Sequence, residues 1–140
     1  QGLKATMSVG DKTPLYAGAT SKCLLAYSSQ EFIDCYLGKV TLRPLTNNTI
    51  ISVDQLLSDL DLIRERGYAS SLGETVQGLG ALSVPLFALH QGIPVRAALS
   101  LAIPEVRFNN YDHRKMCIEE LLLASTDCSE ATGCSSENTH

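Results

Sequence analysis

The chain has 140 residues, of which 44% are hydrophobic and 19% charged, with no Trp and a formal net charge of −4. A chain of this length folds as one domain and buries roughly two thirds of its unfolded surface, so a real core is expected and disorder is excluded. A pI near 5.3 and the lack of any basic run exclude a segment that grips a phosphate backbone by itself.

Five cysteines, at 23, 35, 117, 128 and 134, form no CxxC pair. An odd count at irregular spacing fits a reducing, cytoplasmic compartment better than a disulfide scaffold. Cys128 and Cys134 bracket a short stretch with no His or acid at zinc-finger spacing, so no metal is expected. No apolar run approaches the roughly 18 residues that span a bilayer, and no signal-peptide pattern is present.

In chain order, residues 3–9 alternate weakly and predict a strand leading into Gly10-Asp11-Lys12. Next, TPLYAGATSK places small residues at the opening of a helix that continues through Cys23-Leu24-Leu25-Ala26-Tyr27. Thr20 or Ser21 can cap that helix, and its first-turn N–H groups can receive a carboxylate or phosphate. A plain cap with close packing explains the same residues. Ser28 and Glu31 form an S-x-x-E capping box for a second short helix through Leu37. Thr46-Asn47-Asn48-Thr49 is a turn. Ser52-Val53-Asp54-Gln55 opens the longest helix of this half, with Leu56, Leu57, Leu60, Ile63 and Gly67 along one stripe. Asp61, Arg64, Glu65 and Arg66 read as solvated surface. Gly67 ends the helix, and Tyr68-Ala69-Ser70-Ser71 begins a strand.

The stretch GLGALSVPLFALHQGIPVRAALSLAIP holds two alternating apolar runs around His90-Gln91-Gly92. Leu82, Val84 and Leu86 share one face with Val95, Ala97, Leu99, Leu101 and Ile103. Leu79, Ala81, Ser83 and Pro85 share the other with Arg96, Ala98, Ser100 and Ala102. A four-residue loop over 89–92 sets Leu82 opposite Leu99, Val84 opposite Ala97 and Leu86 opposite Val95, with Ala81 facing Ser100 and Ser83 facing Ala98. An odd loop would set the large face of one strand beside the small face of the other. One face therefore packs a core. The small face admits either a closely packed helix or a ligand.

Residues 105–110 read as a loop. The last helix runs from Tyr111 to Thr132, with Ile118, Leu121, Leu122 and Ser125 on one side, and Gly133 stops it. Residues 134–140 are expected to form a disordered polar tail. One α+β domain results.

The order of PLYAGATSKCLLAY, TNNTI, LDLIRERGYASSLGETVQGLGALSVPLF and VRAALSLAIPEVRF resembles the effector-binding domain of the IclR family of bacterial transcription regulators. The resemblance runs over nearly the whole chain. It rests on the small residues ahead of Lys22, Ile63-Arg64 with Gly67-Tyr68, Glu74 with Gly78, the strand around Pro85, and Ala97-Ala98-Leu99-Ser100. It implies a GAF-like (profilin-like) fold, a twisted antiparallel sheet flanked by helices, over residues 1–133. On that pattern the chain lacks the family domain's usual first helix and strands, and the helix-turn-helix that reads DNA lies outside it.

The resemblance further implies a sensor that binds a small organic acid or related metabolite and modulates DNA binding, as a homodimer or homotetramer. Carried onto this sequence, the backbone of Ala19 and Thr20 receives the ligand's polar end, next to Ser21. Ser71 stands where many members have an acid, Leu79 and Ala81 line the floor with Ala98 and Ala102, and Ser100 supplies a hydroxyl. Three departures qualify the pattern: Ser21 replaces a Gly, Ala81 and Ala102 replace Cys or Ser, and Arg96 replaces an aliphatic residue. Arg96 can pair with a second ligand carboxylate or lie in solvent or at an interface. No catalytic residue or cofactor is expected, since His90, His113 and His140 stand near no nucleophile. Cys23 near a helix start leaves one alternative, a thiol-based GAF-fold reductase of the free methionine sulfoxide reductase type.

Overall fold

The computed structural model describes residues 13–133, so the strand expected over residues 3–9 and the tail over 134–140 lie outside the described residues. The order is α1 (Ala19–Ala26), α2 (Gln30–Lys39), α3 (Val53–Arg66), β1 (Ala69–Leu72), β2 (Leu79–His90), β3 (Ile93–Pro104), α4 (Glu105–Phe108) and α5 (Tyr111–Ala131). Among the described residues the strands form one antiparallel sheet in the order β1-β2-β3. No helix of the described residues is long and apolar enough to cross a membrane.

The hairpin turns on two residues, not four. Gln91 and Gly92 both take positive φ, 52° and 79°, and His90 pairs with Ile93. A two-residue loop of this hand matches the right-handed twist of the strands it joins. The register therefore moves by two from the expectation. Leu82 faces Leu101, Val84 faces Leu99 and Leu86 faces Ala97, while Ala81 faces Ala102 and Ser83 faces Ser100. A shift of two leaves every side chain on its expected face, because the side-chain period is also two.

The large face packs the C-terminal helices. Leu82, Val84 and Ile103 form one core with Phe108 of α4 and Cys117 and Leu121 of α5. Ser125 Oγ, one turn beyond Leu121, donates to the Pro85 carbonyl at 2.7 Å. The small face packs α1, whose Ala19, Cys23 and Ala26 join Leu56, Leu60 and Ile63 of α3 and Ala69 of β1, with Ala81 and Ala98 against them. Leu56, Leu60 and Ile63 are fully buried, and each gains about 1.5–3 kcal/mol of transfer free energy.

Several local expectations need correction. Gly18, not Thr20 or Ser21, is the N-cap of α1; its φ of 88° and ψ of 154° belong to a region that side chains avoid. Ser29, not Ser28, caps α2 by accepting the Phe32 N–H, while Ser28 Oγ bonds back to the Leu24 carbonyl. Ser52 caps α3 and Gly67 closes it, as the pattern predicts. Arg64 is more than solvated surface: it pairs with Asp61 and donates to the Ala26 carbonyl at 3.0 Å, tying α3 to the end of α1. The stretch read as a loop contains α4. On α5 the buried line is Cys117, Leu121, Ser125 and Ser129, and Leu122 faces out.

Candidate functional site

The start of α1 is bound at its first two peptide groups. The Gly18 N–H donates to Glu74 Oε1 at 3.1 Å, and the Ala19 N–H donates to Ser71 Oγ at 3.0 Å. Four residues on, Lys22 lies only 1% exposed. Its Nζ donates to Asp59 Oδ2 at 2.7 Å, Glu74 Oε2 at 2.8 Å and the Ser70 carbonyl at 3.1 Å. An ammonium has three donors, and here each has an acceptor, which is what makes its burial tolerable.

The turn carrying Glu74 is itself anchored. Thr49 Oγ1 donates to the Glu74 carbonyl at 2.6 Å and accepts from the Leu45 and Thr46 N–H groups. Thr46 Oγ1 bonds the Gly73 carbonyl, and Asn48 Nδ2 donates to the Leu72 carbonyl at 3.2 Å. The polar turn at 46–49 thus stitches the β1–β2 connection to the segment before α3.

Beneath α1 the small face forms two rows across three strands: Ala69, Ser83 and Ser100, then Ser71, Ala81 and Ala102. Thr20 Oγ1 lies 2.6 Å from Ser100 Oγ, which in turn donates to Ser83 Oγ at 2.8 Å. Ser83 is fully buried, whereas Thr20 and Ser100 are open to solvent. The hydroxyls run from the surface to the interior. At the inner end stands Cys23, whose thiol burial pushes up to about 11, against a smaller lowering by a hydrogen bond with Ser83.

The structure brings together Ala19, Thr20, Ser71, Ala81 and Ser100 of the expected site. Ala98 packs against the α1 core, and Ala102 lies beside Ala81, exposed at the sheet surface. Ser21 turns elsewhere, its Oγ 3.3 Å from Thr13 Oγ1. Leu79 pairs with Pro104, and its carbonyl accepts the Gly73 N–H at 2.8 Å. Arg96 lies over the Phe32 ring, 5.6 Å from its centroid, with Nη1 at 3.4 Å from Ser28 Oγ, so α2 occupies it. His113 Nε2 is 3.6 Å from Cys117 Sγ on α5. Among the described residues no three His, Cys, Asp or Glu stand close enough to hold a metal.

Lys22, Asp59, Glu74 and Ser83 were not among the expected site residues. Lys22 did carry a signal: it stands three residues after Ala19 and four before Ala26, on the apolar stripe of α1. A lysine in that stripe calls for buried acids. Which acids they are depends on tertiary structure.

The family model described as bacterial transcriptional regulator IclR C-terminal matches residues 1–130. The chain belongs to the IclR C-terminal family. Its α+β, GAF-like architecture is that of the IclR C-terminal domains. The HTH-type transcriptional regulator KdgR of Dickeya chrysanthemi is 32% identical over 131 residues, which cover 94% of this chain and 42% of that regulator. The chain thus spans about two fifths of the length of the curated IclR relatives it matches. The crystal structure of the C-terminal domain of Escherichia coli KdgR superposes with a TM-score of 0.77 at 31% identity, covering 89% of this chain and 74% of that one. The inducer-binding domain of a double mutant of PobR from Acinetobacter, in complex with 3-hydroxybenzoic acid, also gives a TM-score of 0.77. It is 25% identical and covers 91% of this chain and 71% of its own. These IclR relatives are transcriptional regulators. The reductase alternative finds no support among them, and the raised thiol of Cys23 is protonated at neutral pH, the wrong state for a nucleophile.

Proposed function

We propose that this chain is the small-molecule-sensing part of an IclR-type transcriptional regulator. It binds a small organic acid or related metabolite between the start of α1 and the small face of the sheet. Occupancy changes how a helix-turn-helix outside this sequence engages DNA, in a cytoplasmic homodimer or homotetramer. The domain assignment over residues 1–133 is part of the same proposal, and no catalytic step is assigned to it.

The observation that carries this reading is the hydroxyl line from Thr20 through Ser100 to Ser83, laid across a sheet face of Ala and Ser under a helix N-terminus. Thr20 and Ser100, at the outer end of this line, are exposed, so a ligand can reach the small face from solvent there. Because Glu74 and Ser71 already engage the amides of Gly18 and Ala19, the acid's polar end meets Thr20 and Ser21. Their N–H groups belong to the first turn, which no carbonyl of the same helix can reach. The bound acid of the PobR relative supports the same chemistry by analogy.

A thermal-shift screen of benzoate, 3-hydroxybenzoate and small aliphatic keto and hydroxy acids tests the proposal. A binder raises Tm in proportion to the logarithm of its concentration above Kd. Ser100→Phe, which puts a bulky ring where Thr20 and the acid would meet the sheet, is expected to abolish that shift. A Tm that no acid moves, or an equal shift in Ser100→Phe, overturns the reading.

A further inference from the structure

We infer that Lys22 and Glu74 are positioning residues of this face: the buried ammonium aims Glu74 at Gly18, and Gly18 so held keeps Thr20 on Ser100. The inference rests on the reading of this face as the effector site and deepens it, since neither residue is assigned contact with the effector. The geometry closes a ring around a single peptide. The Lys22 N–H donates to the Gly18 carbonyl at 3.0 Å, the first turn of α1. The Lys22 ammonium holds Glu74 Oε2, and Glu74 Oε1 holds the Gly18 N–H. One residue thus fixes Gly18 from both sides, through its backbone and through a bridging carboxylate. Thr20 follows two positions later, and its hydroxyl meets Ser100 across the sheet.

A carboxylate suits the bridge because it offers two acceptor oxygens, one for each donor. Glutamine has the same shape and one acceptor, so it can serve Lys22 or Gly18 and must present its NH2 to the other. Asp59 differs in kind. Among the described residues only its Oδ2 is engaged, by Lys22, and asparagine retains an oxygen for that contact. The relay therefore assigns opposite outcomes to two isosteric changes at the two acids of one ion cluster.

The test is residue-resolved amide hydrogen exchange on the 140-residue chain. In Glu74→Gln, exchange at Gly18 and Ala19 is expected to rise roughly tenfold or more as the charge-assisted bond is lost. Amides of Leu82 and Val84 in β2 keep their rates, and the nuclear Overhauser contact between the Thr20 methyl and Ser100 weakens. In Asp59→Asn the Gly18 amide stays slow. Should Glu74→Gln fail to fold, Glu74→Asp gives the same readout with a carboxylate one methylene short of Gly18. Three results overturn the relay: an unchanged Gly18 amide in Glu74→Gln, acceleration of Gly18 and β2 together, or equal effects of Glu74→Gln and Asp59→Asn. The expected exchange pattern in a chain that binds no acid supports the relay and overturns the effector reading alone.

Discussion

Thr20 Oγ1 and Ser100 Oγ lie 2.6 Å apart across 80 positions of sequence. Ser100 spends its one proton on Ser83, so Thr20 must be the donor between α1 and β3. Thr20→Val and Ser100→Ala are each expected to cost about 0.5–1.5 kcal/mol. The double variant is expected to lose less than the sum, because the second change removes a contact already gone. Urea unfolding of the four species measures it, and strict additivity would mean the contact contributes nothing.

Lys22 sets a larger effect. Lys22→Met removes the counter-ion from two acids, of which Glu74 is 9% and Asp59 21% exposed in the side chain. Breaking a buried pair from one side costs about 3–5 kcal/mol, softened here by the wetter Asp59. The midpoint of urea unfolding is expected to fall with the slope unchanged.

Cys23 makes stability fall in alkali. Its thiol rises from 9.0 to about 11 on folding, so the folded chain holds a proton that the unfolded chain releases. The contribution is complete below pH 9 and is lost as pH climbs from 9 through 11. Its size is about 2–3 kcal/mol. A Cys23→Ala variant is expected to flatten that part of the stability–pH curve. In the native chain at pH 8, iodoacetamide is expected to label exposed Cys35 and Cys128 well before Cys23.

Gly80 marks a contact that admits no side chain. A Cβ there would overlap Phe108 Cδ2 and stand 2.9 Å from its Cβ. Gly80→Ala is expected to destabilise by about 1–3 kcal/mol through overpacking, read from the denaturation midpoint. Phe108→Leu in the same background should recover part of the loss.

Gln91 holds a left-handed backbone at φ 52° in the hairpin turn. That conformation costs a side-chain-bearing residue about 1 kcal/mol relative to glycine, so Gln91→Gly is expected to stabilise by a similar or smaller amount. A Tm lower than that of the parent chain would contradict the turn geometry.

The two faces of the hairpin were legible in the chain because alternation survives any even error in loop length. The loop length itself was not, since His90-Gln91-Gly92 lacks the Asn-Gly or Asp-Gly pair that announces a two-residue turn. Helix α3 was readable at both ends, where Ser52 and Gly67 act locally. Ser29 was missed because two adjacent serines offer the same cap and only one meets the Phe32 N–H. The small residues of the site showed through because they interrupt apolar runs. The ion cluster did not, because Asp59 and Glu74 reach Lys22 from 37 and 52 positions away.

Strand β2 is flanked by helices on opposite sides: Ser83 looks toward α1 through Ser100 and Thr20, while the Pro85 carbonyl takes a hydrogen bond from Ser125 of α5. A single residue of one strand, Val84, separates these attachments. A metabolite wedged under α1 would press on the same ribbon that α5 grips from behind, so news of its arrival need travel no farther than the thickness of a single sheet.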